Sequence, residues 1–341
     1  MLLAATKLDL RRRLLPSGLI DDPALEPLLL SYFPPPFAAA HAAAIRRHPL
    51  RRDIVALSLT NQLIDTMGMT FLVRVVRDSG ADVLDVVAAW IAAQRLTDAG
   101  AIHAALMETH ERVSETAAQH AALLLADGLE RATTWLVATS AGGRPLAATV
   151  AELHAPLADL RAAWNEALSP ARREARMEDI AVLAGLGLPE PLAARLAALA
   201  DLDHMLEIAD LARSADVPVA LAAAAYLQLG PPLGLDWLRQ TLPGSLAGED
   251  RWEPRAAAGL LEELRRARRA IANAVLSSHR PDRPIDDTVA TYIEGHRGHM
   301  DTVAELIGDL TVAARPSLPA LLVVLHELER LARGVPSRPW Q

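Results

Sequence analysis

Residues 146–168 read LAATVAELHAPLADLRAAWNEAL. Within them Val150, Leu153, Leu157, Leu160, Trp164 and Leu168 recur at steps of three and four, the spacing that lines up side chains on one buried face of an α-helix. The same rhythm runs on the N-terminal side. Over roughly 110–138, Val113, Ala117, Ala121 and Leu124 form a stripe that Gly128 interrupts and that resumes at Ala132 and Trp135. Composition extends the reading to the whole chain. Of the 341 residues, 51% are hydrophobic but only 4% aromatic, so the apolar mass is mostly Ala, Leu and Val. Ala and Leu give up little side-chain freedom in a helix, whereas Tyr and Phe, which favour strands, occur three times each.

Punctuation by Gly, Pro and capping residues divides the pattern into helices. Tyr32-Phe33-Pro34-Pro35-Pro36 reads as a rigid extended connector, because proline fixes φ and restricts the residue before it. A helix from about Leu50 stops at Gly68, Thr70 reads as the N-cap of the next, and Asp82 with Asp85 as a variant capping box. Ser169-Pro170 opens a further helix. Long helices are expected near 253–278 and 285–313, and a last one from Ser317 to Arg333. The fold class expected is an all-α multi-helix bundle in two lobes, 1–139 and 144–341, with Ser140-Ala141-Gly142-Gly143 as the boundary.

Several chemistries are excluded outright. With no cysteine there is no disulfide, zinc–thiolate site or thiol nucleophile. Lys7 is the only lysine, so a lysine mechanism has one candidate. The net charge of −8 and the scarcity of aromatics disfavour nucleic acid. Two stretches without Asp, Glu, Lys or Arg, Pro27–Ile45 and Val217–Leu235, are broken by prolines and make poor membrane spans. A soluble, cytoplasmic protein is expected.

The remaining motifs are incomplete. Gly185-Leu186-Gly187-Leu188-Pro189-Glu190 begins like a dinucleotide loop, but Glu190 stands where the third glycine belongs, so a helix–helix turn is the expectation. His326-Glu327 lacks the second histidine of a zinc-protease helix, and His296 and His299 have no further ligand; a solvated position is expected for both. Arg265-Arg266-Ala267-Arg268-Arg269 is the strongest basic run, and its default reading is a solvated face. Trp135, Trp164, Trp237 and Trp252 read as core or interface anchors. No catalytic, cofactor-binding or metal-binding residue is assigned.

Taken in order, a series of segments resembles the C-terminal helical region of the large bacterial NAD-specific glutamate dehydrogenases. They are Leu2 to Leu15, Asp21-Asp22-Pro23, Tyr32-Phe33-Pro34, and His48-Pro49-Leu50-Arg51-Arg52-Asp53-Ile54 with Thr60-Asn61 and Met67-Gly68-Met69-Thr70-Phe71. Further on come Asp82 to Trp90, Leu129-Glu130-Arg131-Ala132-Thr133-Thr134-Trp135-Leu136, Leu227 to Leu238 ending Asp236-Trp237-Leu238, and Leu321 to Ala332. Asp65-Thr66 and Thr134 depart from the family pattern, and Ile285 to Gly308 follows it loosely.

The resemblance implies a domain that is not catalytic by itself. The parent enzyme would oxidatively deaminate L-glutamate to 2-oxoglutarate and ammonia with NAD as hydride acceptor. Its catalytic lysines, carboxylate and dinucleotide-binding fold would lie upstream, so NAD belongs to the parent and no cofactor to this chain. The implied partners are the upstream catalytic region and other copies in a homo-oligomer, with neither nucleic acid nor membrane. The alternative is a free-standing helical interaction protein derived from that domain. Interface or structural roles are expected for Arg51, Arg52, Asn61, Phe71, Arg131, Trp135, Asp236 and Trp237. Around 48–71 the two readings are a partner surface and residues that fix the angle between helices.

Overall fold

Several helix ends fall where the sequence supplies a residue that can stop or cap one, as at Gly68, Asp82 and Ser317. In the computed structural model, which describes residues 2–109, 113–140, 146–238, 253–312 and 317–334, the described residues form seventeen α-helices and no strand. They divide into two compact units, Met1–Leu146 with Leu186–Ala200, and Ala147–Gly185 with Asp201–Gln341. Of the expected lobe boundary, residues 141–143 lie outside the described residues.

The first unit runs through α1 (Leu2–Leu14), α2 (Glu26–Ser31), α3 (Pro35–Arg46), α4 (Arg51–Met67), α5 (Thr70–Ser79), α6 (Val83–Thr97), α7 (Ala99–Thr109) and α8 (Glu115–Ser140). Two 3₁₀ turns, Gly18–Asp21 and Pro23–Leu25, lie between α1 and α2. Asp82 caps α6 by accepting from the Leu84 N–H at 2.8 Å, which satisfies a donor that the helix cannot. At the far end Asp98 adopts φ 54, a left-handed conformation that Asp tolerates better than most side chains. α6 buries Val86, Val87, Ala89, Trp90, Ala93 and Leu96 and packs on α8. Burying Val86, Val87 and Leu96 contributes about 1.5–3 kcal/mol each.

Two local expectations are corrected here. Only Pro34 is extended; Pro35 and Pro36 are the first two residues of α3, where the missing proline N–H would have had no helical partner in any case. Thr70 is already inside α5, and Met69 stands at the cap without a side-chain bond.

In the second unit α9 (Leu146–Ala167) turns Leu153, Leu157, Leu160, Trp164 and Leu168 into the core, as its stripe predicts, while Val150 is half-buried. α10 (Pro170–Gly185) follows, and the chain then supplies α11 (Glu190–Ala198) to the first unit. The second unit continues with α12 (Leu202–Ala215), α13 (Val219–Gln228), α14 (Glu253–Ser278), α15 (Ile285–Gly295), α16 (Arg297–Val312) and α17 (Leu318–Ala332). α14 packs on α12, α13 and α17, and α17 on α16. The single helix expected over 285–313 is in fact two, because His296 leaves helical geometry at φ −115, ψ 19. Ser317 caps α17 as expected, accepting from the Ala320 N–H.

Gly128 has a different role from the gap it makes in the α8 stripe. It is buried, and a Cβ placed there would lie 2.7 Å from the Leu199 Cβ, just beyond α11 in the same unit. Leu125, Leu129 and Ala132 complete the buried face around it. The absent side chain therefore allows close approach. For Gly128→Ala, helix propensity favours Ala by about 1 kcal/mol, but overpacking against an atom fixed to the backbone costs about 1–3 kcal/mol. The expected outcome is a lower thermal midpoint by circular dichroism; an unchanged or higher midpoint would show that the Leu199 turn yields freely.

Candidate functional site

α12 is buried around most of its circumference, from Leu202 and His204 through Ala212. A helix in that position should be apolar, yet it carries Glu207, 0% exposed, and Asp210, 7% exposed. An unpaired carboxylate there would cost several kcal/mol in lost hydration. The counter-charges come from α14. Arg265 and Arg269 each donate to one oxygen of Glu207, Arg269 at 2.7 Å. Arg269 also donates to Asp210 at 2.8 Å, and Arg213 to the same residue at 2.8 Å. Arg265 donates to both oxygens of Glu262, at 2.7 and 2.8 Å. Burial works to lower the Arg265 guanidinium, but the Glu262 hydrogen bond and the Glu207 and Glu262 charges outweigh it and raise it above its ordinary value.

Arg268 is turned to a different set of partners. Only 3% exposed, it donates to the Tyr226 carbonyl at 3.1 and 3.2 Å and to Asp236 at 3.0 Å. Its guanidinium lies 4.2 Å from the centre of the Tyr226 ring, a cation–π geometry. Burial pushes the Tyr226 phenol above its ordinary value, against the nearby Arg268 charge. Asp236 also faces Arg172 at 3.8 Å; Arg172 donates to Asp201 at 2.7 Å, and Asp201 accepts the Trp164 indole N–H at 3.1 Å. Gly230 makes room for this chain of contacts: a Cβ there would lie 2.8 Å from both Arg268 Nη2 and Asp236 Oδ2.

The basic run is therefore not a solvated face. Only Arg266 fits that reading, its side chain 57% exposed and paired with Glu262 and Glu263 on its own helix. Arg265 and Arg269 reach the acids of α12, and Arg268 reaches Tyr226 and Asp236, around a stripe in which Leu264, Ala267 and Ile271 are buried. A usable sequence signal was Glu207 and Asp210, two carboxylates three residues apart inside an apolar helix. A second buried polar contact corrects another expectation. His299 is 3% exposed and lies 3.4 Å from Glu327, itself 1% exposed and bonded by Arg330 at 2.9 Å. His296 stacks on Tyr292 at 4.2 Å, and His326 is exposed.

Of the expected interface or structural residues, six belong to the first unit and two to the second. Arg51 donates to Asp21 at 2.6 Å, and Arg52 bonds Asp21 and the carbonyls of Leu15, at 2.7 Å, and Ser17. Desolvation would raise the Asp21 carboxyl, but the Arg52 and Arg51 hydrogen bonds hold it below its ordinary value. Lys7 reaches Asp65 at 2.7 Å and Arg11 reaches Asp53 at 2.8 Å, so α1 is tied to α4 along its length. Phe71 and Trp135 are core residues at 0% and 3% exposed. Asn61 and Trp237 are half-buried, and Arg131 is exposed. Asp236 belongs to the arginine cluster described above. Trp252 lies outside the described residues.

Chemically, these clusters join helices. The Glu207 oxygens are both met by guanidinium groups, which do not give up their protons near neutral pH. Among the described residues no three His, Asp or Glu side chains are arranged to hold a metal ion, and no helix is long and apolar enough to cross a membrane.

The family described as "Glutamate dehydrogenase, C-terminal" matches residues 1–330. The chain is 27% identical to the NAD-specific glutamate dehydrogenase of Pseudomonas aeruginosa, with 98% of this chain and 21% of the relative aligned. It is 25% identical to the protein of that name from Halomonas elongata, with 98% and 21% aligned, and 26% identical to that from Mycobacterium tuberculosis, with 97% and 20% aligned. The chain thus spans about a fifth of the length of these curated relatives.

Two outcomes follow from the ion pairs. Glu207→Gln keeps volume but turns an amide NH2 toward one of the two guanidinium groups, which retain Glu262 and Asp210 as partners, so it should cost about 1–3 kcal/mol in urea unfolding, against at most about 1 kcal/mol for Arg266→Ala; a loss no larger than that of Arg266→Ala would contradict a buried clamp. Asp21 has a folded-state pKa below its unfolded value, so its stabilisation is full above about pH 4 and disappears as pH falls through the folded pKa. Asp21→Asn should therefore lower stability at neutral pH, with a deficit that shrinks in acid; a deficit independent of pH would contradict the assignment.

Proposed function

The chain belongs to the glutamate dehydrogenase C-terminal family, and from that premise we propose that it is the non-catalytic helical domain of an NAD-dependent glutamate dehydrogenase. The parent reaction is oxidative deamination of L-glutamate to 2-oxoglutarate and ammonia with reduction of NAD. The domain packs on the upstream catalytic region of the same enzyme and serves assembly of a homo-oligomer or its regulation, in the cytoplasm. The absence of cysteine is compatible with that compartment.

One observation carries the reading: 98% of this chain aligns, yet with only 21% of a relative whose name specifies the enzyme. Such proportions suit a structural fifth of a large enzyme. The character of the polar clusters supports it, since the buried charges found here neutralise one another between helices. The residues described do not fit the dinucleotide. The Gly185-Leu186-Gly187 turn joins α10 to α11, no strand precedes it, and Pro189 occupies the position before α11, so no hydride step is derived from this chain.

The test is direct. The purified 341-residue chain, incubated with L-glutamate and NAD, should give no NADH above a protein-free blank. Turnover by this chain alone would overturn the non-catalytic reading.

A further inference from the structure

Aromatic side chains are scarce in this protein, and half of its Phe and Tyr residues lie together at the surface, two exposed and Phe33 half-buried. Tyr32, Phe33 and Phe37 are three of the six. Tyr32 is 55% and Phe37 48% exposed, and Leu50, just before α4, is 56% exposed. Rings pack in succession: Tyr32 on Phe33 at 5.4 Å, Phe33 on Phe37 at 5.9 Å, Phe37 on His41 at 4.5 Å. By contrast Phe71 and Tyr226 are 0% and 2% exposed.

The helix that carries Phe37 is itself poorly buried. Ile45 is the only buried residue of α3, although its sequence is PPFAAAHAAAIR. Ala39, Ala40, Ala43 and Ala44 are all exposed. The uncharged stretch Pro27–Ile45 contains this whole face. Water contact along an apolar helix of this kind forgoes stabilisation that a covering surface would supply, and clustered aromatics are the residues on which interfaces anchor.

We propose that this face, Tyr32, Phe33, Phe37 and the alanines of α3, docks on an uncharged apolar surface of the rest of the same dehydrogenase polypeptide. The inference rests on the function proposed above. Two quantities favour that occupant over a second copy. α3 has 12 residues, so at 1.5 Å per residue and roughly 10 Å across it offers on the order of 200 Å², far below the roughly 800 Å² per partner of a stable free interface. A tethered partner needs much less, because tethering presents it at an effective concentration of roughly millimolar. In the relatives, about four-fifths of the polypeptide lies outside the matched part, since only 21% is aligned. That remainder is large enough to supply the covering surface.

The test uses the full-length dehydrogenase carrying this sequence, with the photo-crosslinking residue benzoylphenylalanine at position 37 and, separately, at position 312. Val312, on α16, is 88% exposed and serves as a more accessible apolar control. Crosslinks from position 37 to peptides outside these 341 residues of the same subunit, in at least tenfold higher yield than from position 312, support the proposal. Phe37→Asp, which also loses the Phe33 and His41 ring contacts, should lower the thermal midpoint of that full-length enzyme by more than it lowers that of the isolated chain; equal shifts would count against docking. Crosslinks only between equivalent faces of two subunits would overturn it in favour of a second copy. No crosslinking at position 37 in an enzyme that still reduces NAD with glutamate would overturn the docking face alone. If the full-length polypeptide carries no glutamate-dependent activity, the proposed function falls and this inference with it.

Discussion

The second unit depends on one buried carboxylate. Glu207 sits in the middle of α12 with no exposure to water, and a charge in that position is tolerable only if counter-charges are delivered to it. That requirement brings Arg265 and Arg269 of α14 inward, and with their positions set, Arg268 falls against Tyr226 and Asp236. Asp236 in turn faces Arg172, which reaches the Trp164–Asp201 pair. Apolar packing alone tolerates small slips of one helix along another. A lattice of directional hydrogen bonds does not, so the clamp confers register more than raw stability.

Much of the fold was legible because helical burial is periodic. The stripe of α9, the Gly68 and Asp82 boundaries and the Ser317 cap depend on neighbours within one or two turns, and local sequence records them. What was not legible depends on atoms far away along the chain. Gly128 looks like a defect in its stripe until Leu199 is placed beside it. The break at His296 is the exception, since Gly295 immediately before it is a local signal that the reading of one helix over 285–313 passes over. The three prolines at 34–36 were read by proline's extended preference, when the helix start was an equally compatible site for two of them.

The polar clusters were legible in composition but not in pairing. A run of arginines in an acidic chain is most often hydrated, and the periodic reading of α14 alone could not say which arginines faced α12. The ordered resemblance to the dehydrogenase family did single out Asp236 and Arg52, and both turn out to hold helices together through Arg268 and Asp21. Phe71 and Trp135, singled out the same way, are core residues. The resemblance did not distinguish surface from interior.

The path of the chain around Gly128 has a consequence for synthesis on the ribosome. The notch in α8 is filled by Leu199, which emerges only after α9 and α10, both assigned to the other unit. The first unit therefore cannot close when its own first eight helices have left the exit tunnel. It waits, with the α8 groove uncovered, until α11 arrives. A polypeptide cut after residue 146 would keep that groove open permanently, and its alanine- and leucine-lined walls would be adhesive. The natural severable piece of this domain is thus longer than its first contiguous run of helices.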